Sequence, residues 1–278
     1  MSSFDEKILN AVCNIAGTTP STTTTTTTTN NPFKGKWVSI LGDSISTYQG
    51  YNPEGNSTYY PADDVDNVNK TWWHILLTKL GAKLCVNESW GDRKVCGSDA
   101  QDVKNAMGGK LHRVKGNTYT NLDGTTETAT EDVYPDIILI VVGVSDFLNA
   151  STLGDASSST GVKPNYTTNF YIAYDYMLVQ ITQILYYKNA QIYCLNTPYT
   201  SKIALFGTNT NGNTQLDFNK LIENKAESNG IHFINLFNLC IHDGNASINL
   251  IDKIYPKAIM MNKIANQCYN EIMADNCY

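Results

Sequence analysis

At 278 residues and a net charge of −6, the chain has room for one α/β domain of about 240 residues and an appendage. Its 20 lysines and arginines are scattered, which excludes the clustered basic patch that a nucleic-acid partner requires. The longest apolar run, IILIVVGV at 137–144, is far short of the roughly 20 residues that span a bilayer, so no membrane span is expected.

The chain begins MSSFDEKILNAVCNIAG, with Asp5 and Glu6 where a secretory signal would be basic. No signal peptide is read, and synthesis in a cytoplasm is expected. Within residues 1–17, Ser3 and Glu6 have capping-box spacing, and Phe4, Ile8, Leu9, Val12 and Ile15 share one broad helical face. So short a helix is marginal alone. Either it docks on a protein partner or on copies of itself through residues 3–16, or it is a frayed terminus. Residues 18–32, TTPSTTTTTTTTNNP, hold nothing apolar to bury and read as a linker that could reach about 50 Å.

Residues 33–278 form the remaining domain. KWVSIL (36–41), AKLCVN (82–87), DIILIVV (136–142), QIYCL (191–195) and IHFINL (231–236) read as short buried strands, with helices over 70–80, 167–188, 214–228 and 257–274. This alternation predicts a three-layer α/β/α sandwich around a central, mostly parallel five-stranded sheet, with ligands beyond the carboxyl ends of the strands. Segment 92–134 breaks the rhythm, with a short helix near 98–107 and a hairpin-like NLDGTT. The seven cysteines are odd in number, dispersed and without a C-x-x-C pair. They suit buried reduced thiols better than a disulfide frame or a zinc site, and neither metal nor cofactor is expected.

The first strand runs into Gly42-Asp43-Ser44, residues that serve a turn as readily as a nucleophile. The other strand ends narrow the choice. The second ends in NESWGDRKV (87–95), the third in GVSDF (143–147), and the last loop reads IDKIYPKAIMMNKIA (251–265). In this order these stretches resemble the SGNH, or GDSL-type, hydrolase family over residues 36–275. The nearest resemblance is to carbohydrate-ester hydrolase domains, including those of phage tail and baseplate proteins, on GDSIST, YYP, TWW and LGAKL.

The resemblance implies a flavodoxin-like sheet and a set of roles. Ser44 matches the nucleophile, and its N–H, Gly91 and the third-block residue match the oxyanion donors. Asp252 matches the acid that orients the base. Two positions depart from the pattern: Ser145 stands where the family has asparagine, and Tyr255, followed by Pro256, stands where it has histidine. Loss of one oxyanion donor costs about a hundredfold to a thousandfold, whereas loss of the base costs roughly a millionfold. Of the four histidines, His74, His112 and His232 read as structural, and His242 in CIHDGN is the one candidate for a displaced base.

Tyr48, Tyr51, Tyr59, Tyr60 and Trp90 crowd the same strand ends, where aromatic faces could stack on sugar rings. Two readings result. One is a non-catalytic module that binds a glycan or acylated carbohydrate, or ornaments a larger assembly such as a virion or phage tail. The other is a working carbohydrate O-acyl esterase that uses Ser44 with His242 or a water as base. Removal of residues 1–32 is expected to leave a folded domain that no longer joins its assembly; normal assembly of the truncated protein would disprove a tethering role.

Overall fold

In a computed structural model of the chain, described over residues 31–98, 102–106, 118–131, 133–155, 168–183, 189–241 and 246–276, alternate residues of the third strand enter two different cores. Ile137, Leu139 and Val141 face one side, and Ile138 and Ile140 face the other. Strand side chains alternate faces, so a run with no polar residue needs cover on both.

The strands are β1 (Trp37–Gly42), β2 (Lys83–Asn87), β3 (Ile137–Val141), β4 (Gln191–Leu195) and β5 (His232–Ile234). They pair in the order β2-β1-β3-β4-β5, every pair parallel. The helices that cover the sheet or carry the site are α1 (Trp72–Leu80), α2 (Val144–Leu148), α3 (Phe170–Gln183), α4 (Gln215–Ser228) and α5 (Ala258–Ala274). The first core packs α1, through Trp72, Trp73 and Leu76, and α5, through Met260, Met261 and Ile264, on one face. Phe170, Tyr174 and Met177 of α3 and Phe218 and Ile222 of α4 cover the other. Each such side chain, wholly removed from water, contributes about 1.5–3 kcal/mol. The expected three-layer α/β/α sandwich is therefore present, with helices on both faces.

The elements begin and end where side chains allow. Thr71 accepts the His74 N–H at 3.4 Å to start α1, and Gly81, at φ 63°, ends it. Thr214 and Asp217 form a capping box on α4. Strand β5 is shorter than the 231–236 expected, because Asn196 Oδ1 takes the N–H groups of Leu236 and Phe237 at 2.6 and 3.0 Å and turns the chain away. The hairpin around NLDGTT pairs Thr118–Thr120 with Thr126–Thr128, and the short helix near it covers Val103–Ala106. The helix expected over residues 3–16 and the threonine tract through residue 30 lie outside the described residues. Cys85, Cys96, Cys194 and Cys268 are buried free thiols.

In the order 2-1-3-4-5 the direction in which successive strands are added reverses between β1 and β3, and such sheets open a crevice at their carboxyl ends there. Gly42 closes β1 at that point. A Cβ on it would lie 2.7 Å from Ser46 Oγ and 2.8 Å from Ser89 Oγ, so the approach of the loops after β1 and β2 depends on its absence. Gly42→Ala is expected to lower stability by about 1–3 kcal/mol through this overpacking, read as a lower urea midpoint at constant slope. An unchanged midpoint would refute the steric assignment.

Candidate active site

The carboxyl of Asp43 follows Gly42 into the interior and is fully buried. Its Oδ1 accepts the Ile45 N–H at 3.2 Å, capping the short 3₁₀ turn Ser44–Ser46. The N–H groups of Val144 and Ser145, in the first turn of α2, also favour its charged form. Oδ2 nevertheless closes no hydrogen bond, and burial dominates, pushing the group from its ordinary 3.8 to about 7. Asp146, also in α2, repels it. Asp146 is itself held by the Val95 and Cys96 N–H groups at 2.7 and 3.0 Å and by Ser151 Oγ at 3.0 Å, while burial raises its pKa.

Ser44 is 2% exposed. Thr47 Oγ1 donates to its carbonyl at 2.9 Å and accepts the Tyr59 N–H at 2.8 Å, so the loop after β1 folds back over the serine. Asn52 and Asn56 fasten that loop to the next one, donating to the carbonyls of Asn87 and Ser89 at 2.9 to 3.1 Å. Ser44 Oγ accepts the N–H of Asp92 at 2.7 Å and donates to the Asp92 carboxylate at 3.4 Å. Asp92 holds φ 58°, a left-handed conformation that glycine adopts without cost. Gly91 is turned away: its N–H donates to the Ser57 carbonyl at 2.7 Å. The second-loop N–H that meets the serine thus belongs to Asp92, one residue beyond the glycine expected for it.

Tyr255 reaches the same point from the opposite loop. Its hydroxyl interacts with the side chains of Ser44 and Asp92. Burial, then the charges of Asp92 and Asp43, raise its pKa above the usual tyrosine value, so the phenol is protonated near neutral pH. In that state the hydroxyl carries a proton it can donate, as toward the Asp92 carboxylate. Its ring stacks on Tyr59 at 3.6 Å between centroids and 24° between planes, and Tyr59, chiefly by burial, is pushed up to about 12. Asp252 does not orient Tyr255. It sits exposed at the tip of the hairpin joining Leu250–Ile251 to Tyr255–Pro256, at φ 50° beside Lys253 at φ 65°, with no side-chain hydrogen bond among the described residues.

Ser145 lies 7% exposed in the first turn of α2, and its carbonyl takes both the N–H and the side-chain amide of Asn149. Neither described histidine contacts Ser44. His74 Nε2 lies 2.8 Å from the Leu122 carbonyl, and His232 pairs with Asp275 at 3.0 Å and stacks on Tyr193. His112 and His242 lie outside the described residues.

Beside Ser44 an open cleft of about 790 Å³ is lined by Tyr59, Tyr255, Asp92, Asp252, Lys202 and Lys253, among others. Ser201 N–H donates to the Lys253 carbonyl at 2.9 Å, tying the two lysine-bearing loops together. Of the four aromatics expected to bind ligand, Tyr59 lines this cleft. Tyr48 is buried with its hydroxyl on the Asp66 carbonyl at 3.0 Å, and Tyr51 packs on Trp73 at 5.6 Å. Trp90 packs on the second core and donates to Glu88 at 3.4 Å. Asp92 was not among the residues assigned from sequence; its only signal there is a carboxylate directly after the block-two glycine, and its φ has no sequence signature.

A family model described as GDSL-like Lipase/Acylhydrolase matches residues 36–272. No curated protein matches the chain. Among solved structures, one described as a GDSL-like lipase from Bacteroides ovatus superposes with a TM-score of 0.62 at 24% identity, over 87% of this chain and 99% of that one. A carbohydrate acetylesterase family member from Sinorhizobium meliloti gives 0.54 at 13% identity, over 86% and 98%. A catalytic mutant of an acetylxylan esterase from Geobacillus stearothermophilus gives 0.53 at 14%, over 86% and 95%.

The buried Asp43 yields a pH signature. Its folded pKa of about 7 lies above the unfolded 3.8, so the folded state holds the extra proton and stability falls as pH rises through that window. Asp43→Asn keeps a capping acceptor and removes this titration. Between pH 4 and pH 7 the wild type is expected to lose up to about 4 kcal/mol relative to the variant in urea unfolding. Parallel pH profiles for the two proteins would contradict the assignment.

Proposed function

Because the chain belongs to the GDSL-like lipase/acylhydrolase family, we propose that it is a catalytically impaired member whose cleft holds a glycan. One observation carries this reading: the group against Ser44 at the base position is the protonated phenol of Tyr255. Acyl transfer to a serine requires an acceptor for the hydroxyl proton, and a tyrosine whose pKa is raised further above 10 cannot serve near neutrality. Asp252, the residue that would steer a histidine, is exposed at the hairpin tip and makes no side-chain hydrogen bond among the described residues.

The glycan part rests on the cleft. The stacked Tyr59 and Tyr255 offer an aromatic surface, and Asp92, Asp252, Lys202 and Lys253 offer hydrogen bonds to sugar hydroxyls around it. Similar folds carry acetylxylan esterase and carbohydrate acetylesterase descriptions, which agrees with a carbohydrate ligand. A place in a larger assembly such as a phage virion or tail, joined through residues 3–16 and the threonine tract, completes the proposal.

The alternative is an active carbohydrate O-acyl esterase with a displaced base. The place of Ser44 directly after β1, where the family carries its nucleophile, favours it. Hydrolysis of p-nitrophenyl acetate and of acetylated xylo-oligosaccharides separates the two. The wild type is expected to turn over no faster than Ser44→Ala. Clear Ser44-dependent turnover would overturn the impaired reading, and its loss in His242→Ala would identify the base.

A further inference from the structure

Asp92 places both of its polar ends on Ser44. Its N–H donates to Oγ at 2.7 Å and its carboxylate lies 3.4 Å from the same atom. The hydroxyl therefore closes a two-membered exchange with a single residue, and Tyr255 completes the ring by interacting with both. The backbone conformation that allows this, φ 58°, is one that a residue with a side chain adopts at a cost and glycine does not. The neighbouring Gly91 cannot supply the N–H instead, because Ser57 has taken it.

We infer that Asp92 closes the acyl corner of the site: its carboxylate stands where an ester carbonyl would have to approach Ser44, so the cleft refuses acyl groups while its sugar-facing wall stays open. This rests on the reading of the site as a silenced acyl-transfer site. Two physical effects act together. When a serine oxygen adds to an acyl carbon, the carbonyl oxygen becomes an anion that needs N–H donors, and the one N–H offered by this loop is already spent on Oγ. The same anion would form within a few ångströms of a carboxylate, and like charges at such range oppose each other strongly. Reinstating a base without removing Asp92 therefore leaves the oxyanion opposed by a carboxylate.

The test compares two restored proteins, Tyr255→His/Ser145→Asn and the same pair with Asp92→Gly, each with a Ser44→Ala control. Turnover of p-nitrophenyl acetate and the rate of Ser44 labelling by a fluorophosphonate, followed as a mass shift, are measured on both. Removing the Asp92 side chain is expected to raise both rates at least about tenfold, through loss of the carboxylate's repulsion of the developing oxyanion, because the backbone N–H of residue 92 is present in both proteins. Asp92→Asn, which keeps the side chain's size and tolerates the left-handed backbone, serves where the glycine variant does not fold, and is expected to give a smaller gain from charge removal alone. Equal rates with and without Asp92, whether both proteins are active or both silent, overturn the inference. The ratio is independent of the impaired reading, which fails separately if the unmodified protein shows Ser44-dependent turnover.

Discussion

Burial of the Asp43 carboxyl between the end of β1 and the start of α2 is the constraint around which the site is arranged. One oxygen caps the turn that carries Ser44, and the other faces the first turn of the helix that carries Ser145. Placing a carboxyl there costs desolvation, and its pKa near 7 is the measure of that cost. The arrangement persists because the loops on either side are locked by other means. Gly42 lets the β1 and β2 loops touch, and asparagine amides fasten the tyrosine-rich loop over Asn87 and Ser89.

This frame presents Ser44 to a particular set of neighbours. Ser44 remains presented at the carboxyl edge of the sheet, yet its neighbours are a protonated phenol and a carboxylate. A histidine would present an acceptor on one nitrogen and a donor on the other, held by an acid behind it. Tyr255 has a single hydroxyl, and the ring behind it is occupied by stacking on Tyr59. The polar network at Ser44 ends on an aromatic pair.

Much of this was legible in the sequence, for identifiable reasons. The five strands are runs of β-branched and apolar residues bounded by Gly, Asn and Pro, so their existence and order were readable, as was the placement of Ser44, Ser145 and Tyr255 at strand ends or in the last loop. Ends were less readable wherever a side chain decided them from a distance, as Asn196 does when it stops β5. Helix α2 was hidden inside GVSDF, because five residues are too few to show a period. The swap of roles between Gly91 and Asp92 depends on which of two adjacent N–H groups points inward, a backbone property that residue types alone do not encode. Tyr48 and Tyr51 were misleading for the opposite reason: an aromatic ring near a site packs as readily as it binds, and only their hydroxyl partners, Asp66 and Leu122, tell the difference.

The hairpin tip at Asp252 and Lys253 also bears on how this lineage can change. Both residues are left-handed, and Ile254 N–H returns to the Ile251 carbonyl at 3.0 Å to close the turn. The turn asks of both residues a backbone geometry that asparagine and glycine meet at least as well. An Asn-Gly pair at these two positions would therefore keep the turn while removing two charged groups from the wall of the cleft, which separates what the loop needs to fold from what it offers to a ligand.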